Sequence, residues 1–116
     1  MKLKFLNRKV EKIFSDKEIA KHFSLDIVAR YRFAVRTIAT ADSLGDRVLF
    51  EQLRLHELKG RDAGHYSIDV SKNRRLIICP HEVYGPRPRE GYDLKKIKFI
   101  IIEEIRDTHE GKVRRK

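Results

Sequence analysis

A chain of 116 residues is the length of one domain and can bury a modest core without metals or disulfides. Its 27 Lys and Arg outweigh 17 Asp and Glu, a formal charge of +10, which points to a polyanionic partner such as nucleic acid or ribosome. A membrane span and a disulfide scaffold are excluded: apolar runs such as Phe99–Ile102 are far too short, and Cys79 is the single cysteine.

Lys2 to Leu6 alternates apolar and polar residues and predicts a first strand. Lys2, Lys4, Arg8 and Lys9 interrupt any signal-peptide apolar stretch, so a cytoplasmic setting is expected. Asn7 is placed to cap a two-turn helix carrying Val10, Ile13 and Phe14. Ser15-Asp16-Lys17-Glu18 matches a capping box, predicting a second short helix with Ile19 and Phe23 inward. Ser24 caps a longer third helix, on which Val28, Tyr31, Val35, Ile38 and Ala41 form one stripe and Gly45 is the expected stop.

Residues 46–63 read as an irregular connection anchored by Leu53, Leu55 and Leu58. Tyr66, Ile68 and Val70 alternate with Ser67 and Asp69, as a half-buried strand does. After a turn at Ser71-Lys72-Asn73, the more continuously apolar Arg75–Cys79 reads as a central strand halted by Pro80, with Cys79 a buried reduced thiol. Two of the three prolines, Pro86 and Pro88, lie in a long loop over 82–96; Ile97–Ile105 is the last strand, and residues 110–116 are a basic tail. Helices followed by adjacent antiparallel strands predict an α+β fold: a single domain over 1–116, with a small antiparallel sheet of about four strands and the helices on one face. The other face is then expected to be open and to offer a basic groove.

The stretch from Leu53 to Ile78 concentrates the residues with chemical potential. RNA is cut when a base removes a 2′-hydroxyl proton, the oxygen attacks the adjacent phosphorus, and an acid protonates the departing 5′-oxygen while cations stabilise the phosphorane. Histidine suits both proton roles, because its ordinary pKa lies near neutrality. His56 precedes the sheet and His109 follows its last strand; Asp107 can orient an imidazole or exchange the proton itself, and Lys59 and Arg75 can clamp phosphate. The plainer alternatives are solvent-exposed histidines and a solvated cationic face. No helical His-x-x-x-His or Cys-x-x-Cys spacing is present, so no metal site or cofactor is expected.

Leu55-His56-Glu57-Leu58-Lys59-Gly60, then Gly64-His65-Tyr66-Ser67-Ile68-Asp69-Val70, then Asn73-Arg74-Arg75-Leu76-Ile77, and finally Asp107-Thr108-His109, resemble in order the HigB branch of the RelE/ParE toxin superfamily of type II toxin–antitoxin modules. The resemblance implies a RelE-like fold and a metal-independent endoribonuclease (an mRNA interferase) that cleaves mRNA in the ribosomal A site and inhibits translation. It implies neutralisation by a helix-turn-helix, HigA-like antitoxin, in a heterotetramer as one form of the complex. It carries catalytic roles to His56, Lys59, Arg75, Asp107 and His109, and RNA contacts to Arg54, Arg61, Arg74 and Thr108. The chain departs from the family at Thr108, where a tyrosine is usual, in the longer 82–96 loop and in the basic tail. The alternative from another class is a non-cleaving member of the fold: a ParE-like gyrase inhibitor or a basic RNA- or ribosome-binding module.

Overall fold

In the computed structural model, residues 1–80 and 94–107 are described, and every structural statement below concerns these. Strand β1 (Lys2–Phe5) leads into α1 (Arg8–Ile13), where the Asn7 side chain accepts from the Val10 N–H at 2.9 Å as the sequence predicts. The capping box does not form. The Ser15 hydroxyl instead donates to the Lys12 carbonyl at 2.7 Å, and α2 (Ile19–His22) starts after Glu18, with Ile19 buried. Helix α3 (Leu25–Thr40) begins at its Ser24 cap and buries Val28, Tyr31, Ala34 and Ile38. The expected connection over 46–63 holds more structure than its composition predicts: α4 (Arg47–Leu53), capped by Asp46, then β2 (His56–Glu57) and a 3-10 turn at Gly60–Asp62. Strands β3 (Tyr66–Asp69), β4 (Arg74–Pro80) and β5 (Phe99–Asp107) follow the predicted order.

The sheet has five strands rather than about four, in the order β1-β5-β4-β3-β2. It is mixed rather than antiparallel, because β1 runs parallel to β5 while the remaining pairs are antiparallel. One face carries Tyr66, Ile68, Val70, Leu76, Ile78, Ile100 and Ile102 into a core with α3 and α4. Phe14 stacks in that core between Phe5, Phe23 and Tyr31, at 6.1, 5.8 and 4.7 Å between ring centres.

The opposite face is not the open groove expected of it. Ser67, Ile77, Cys79 and Ile101 on that side are all buried, although none belongs to the helix-side core. Asp62 from the β2–β3 connection meets Arg106 of β5 at 2.9 Å, and Arg106 also reaches Glu104 at 3.3 Å. Burial pulls the Arg106 guanidinium down, but hydrogen bonds to these two carboxylates outweigh it and leave its pKa raised.

Gly45 does not stop α3, which ends at Thr40 with Ala41 in extended conformation. It instead lets two chain segments approach: its N–H donates to the Leu94 carbonyl at 3.1 Å, and a Cβ there would stand 3.0 Å from the Lys95 nitrogen. Residues Leu94–Lys96, expected to lie in the 82–96 loop, form a 3-10 turn; the rest of that loop and the tail at 110–116 lie outside the described residues. No helix among the described residues is long and apolar enough to cross a membrane.

Candidate nucleic-acid interface

Register decides which of the candidate side chains share a surface. His56, Ser67, Ile77 and Glu104 are successive partners across β2, β3, β4 and β5, so they lie in one row on the face away from the helices. Asp69, Arg75 and Arg106 make the next row on that face. His56 is exposed, two strands from Arg75 and two residues along. In strand geometry this is roughly 10 Å across the sheet and about 7 Å along it.

Asp69 ties the cations together. One of its carboxylate oxygens stands 3.5 Å from Nε of Arg75, the other 3.6 Å from Nε of Arg54. Arg54 is held by the backbone: it ends α4 in the left-handed region, φ 53°, a conformation that turns the chain sharply from helix into β2. Arg30 of α3 enters from the other side. Its guanidinium donates to the Gln52 carbonyl at 2.6 Å and to the Asp69 carbonyl at 3.4 Å, and lies over the Phe33 ring at 5.0 Å. Arg30, Arg54, Asp69, Val70, Ser71 and Lys72 line an open cleft of about 520 Å³ at the β3–β4 turn. Three cations around a single carboxylate leave this cleft with an excess of positive charge suited to a phosphate.

The other candidates are dispersed. Lys59 and Arg61 are exposed on the connection that leads into β3. Arg74 pairs with Asp107 at 3.6 Å, and they are register partners, one position along from Arg75 and Arg106. The pleat turns both to the side of Leu76 and Ile105, away from His56 and Arg75. His109 and Thr108 lie outside the described residues.

Sequence reasoning missed Arg30, Asp69 and Lys72, which are joined to Arg54 by the fold rather than by spacing. An Arg on the polar side of an amphipathic helix carries no mark distinguishing it from a solvated one. It also gave His65 no role. That imidazole meets Glu103 at 2.9 Å (Nε2 to Oε2), beside the Cys79 thiol, and the three residues come from three different strand regions with no short-range motif.

No protein-family model matches the chain, and no curated protein sequence matches it.

Proposed function

We propose that this chain is the toxin of a type II toxin–antitoxin pair, of HigB type with a RelE-like fold, acting as a ribosome-dependent mRNA endonuclease without metal or cofactor. The observation that carries the reading is the placement of Arg75 with Asp69 and Arg54 beside a cationic cleft, on the sheet face that also presents His56. The motif order from Leu55 to Ile77 and the charge of +10 support it as well. In this reading Arg75 and Lys59 hold the scissile phosphate, and their cationic charge offsets that developing on the phosphorane. His56 takes or returns a proton at the 2′- or 5′-oxygen, with His109 supplying the complementary exchange; Asp107, turned to Arg74 on the other side of the sheet, takes no part in it. Arg54, Arg61, Arg74 and Thr108 contact the RNA strand, and a cytoplasmic, HigA-like helix-turn-helix antitoxin neutralises the toxin, in a heterotetramer as one form of the complex.

The test is induction of the chain in a bacterial host, with mRNA cleavage followed in a translating extract and DNA supercoiling followed in parallel. Growth arrest with cleavage of translated mRNA is the expected result. His56→Ala and Arg75→Ala should each reduce the cleavage rate by about 100-fold or more, the scale of one acid/base or charge-stabilising group. Unchanged cleavage in both variants would refute the assigned chemistry. Altered supercoiling without RNA cleavage would assign the fold to gyrase inhibition, and ribosome binding without either would leave a binding module.

A further inference from the structure

The sheet face away from the helices holds a second cluster that the proposed RNA chemistry does not use. His65, Cys79 and Glu103 each offer one donor atom, and these atoms all lie within 4.8 Å of one another. We propose that these side chains, the donors among the described residues, form a binding site for a zinc-class divalent metal ion.

Three features of the backbone bring the donors together. Cys79 sits in the centre of the sheet on β4, paired with Ile101 of β5, and its thiol is buried. His65 immediately precedes β3, and its backbone is fixed twice: its N–H donates to the Asp62 carbonyl, and its carbonyl accepts from the Leu58 N–H, both at 2.9 Å. Glu103 stands at a β-bulge. Ile77 pairs with Glu104 and Ile78 with Ile102, so the register passes over Glu103. A bulge of this kind puts two successive side chains on one side of the strand, which gives the buried thiol a carboxylate neighbour that regular pleating would pair elsewhere.

The donor set narrows the ion. Thiolate, imidazole and carboxylate together match zinc and its divalent mimics, whereas calcium and magnesium require oxygen donors. Three protein donors of these types are enough to hold such an ion in a tetrahedral arrangement. The His65–Glu103 contact already orients both side chains, and the Nδ1 atom of His65 is a buried nitrogen with no hydrogen-bond partner. The side chains of His65 and Glu103 are 25% and 14% exposed, so the cluster opens to solvent on their side and closes on that of Cys79. Binding displaces the thiol proton to solvent and leaves thiolate on the metal, with no change in oxidation state.

The test uses the untagged full chain, freed of metal by chelator and titrated with cobalt(II), then with zinc(II). One equivalent of cobalt should produce a near-ultraviolet thiolate-to-metal charge-transfer band, which zinc displaces. Because Cys79 is the single cysteine, that band can arise from this thiol alone. Zinc should also raise the thermal midpoint in a concentration-dependent way. His65→Gln and Glu103→Gln, at partly exposed positions, should keep the fold by circular dichroism and weaken zinc binding by about tenfold or more. Absence of the thiolate band in the folded wild-type chain would overturn the proposal, as would zinc affinity unchanged in both of these variants. The outcome is independent of the toxin reading, since metal binding is read without any RNA.

Discussion

The Asp69 carboxylate faces Nε of Arg75 at 3.5 Å, directly across the β3–β4 ladder, and its other oxygen faces Arg54. This holds two guanidiniums at a defined spacing and cancels part of their charge. Asp69→Asn should therefore tighten binding of single-stranded RNA at low salt and steepen the dependence of log K on log salt by about one contact, while Arg75→Ala should do the reverse. Fluorescence anisotropy over a salt titration measures both. Equal slopes in all three proteins would remove this pair from the interface.

Gly45 stands against the backbone of 94–95, and a Cβ there would meet main-chain atoms at 3.0 and 3.2 Å. Backbone cannot swing aside as a flexible side chain does. Gly45→Ala should cost about 1–3 kcal/mol, the range for overpacking a tight contact. Urea unfolding gives the value directly, and an unaltered midpoint would show that the 94–96 turn is not anchored at Gly45.

Burial, with a smaller contribution from Asp16, pushes the Tyr31 phenol up to about 12; burial, with a smaller contribution from Glu57, does the same at Tyr66. A phenol in the unfolded chain ionises near 10. The folded values are the higher ones, so the stabilisation is complete below about pH 10 and is lost as pH climbs from there through about 12. Thermal midpoints measured from pH 8 upward should fall over that window, and Tyr66→Phe should flatten part of the fall. A midpoint independent of pH across the window would contradict the burial of both rings.

The Ser67 hydroxyl is buried between Ile77 and His56 in the sheet register and has no hydrogen-bond partner. Removing it relieves an unsatisfied polar group, so Ser67→Ala should leave stability unchanged or raise it by up to about 1 kcal/mol. A clear loss in urea unfolding would mean that the hydroxyl holds the β2 edge in place.

The readable parts of the fold were those with a local cause. Asn7 and Ser24 cap helices because their side chains accept from N–H groups three residues on, and β3 alternates because one face packs against α3 and α4. The misread parts were short elements, or side chains whose partner the residue pattern does not mark. Ser15-Asp16-Lys17-Glu18 has the residues of a capping box, yet the hydroxyl of Ser15 is taken by the preceding turn. The segment over 46–63 looked irregular because α4 is short, although Asp46 and the Leu49/Leu53 spacing mark its cap and buried side. Two residues of β2 are too few for alternation to register. Among the candidate site residues, Arg54 and Arg75 are joined through Asp69, whereas Asp107 turns to Arg74. Sequence spacing around the last strand cannot anticipate this, because the bulge at Glu103 resets the alternation.

Pairing the first strand with the last has a consequence for synthesis. Lys2–Phe5 finds its hydrogen-bonding partner only in Phe99–Ile102, nearly a hundred residues later. A contact so distant along the chain is slow to close, and during translation it must wait until residues 99–102 have left the exit tunnel. Neither the inner strand β5 nor any surface that depends on it exists on a partly made chain, so a ribosome making this protein meets the finished cationic face only after elongation past that strand.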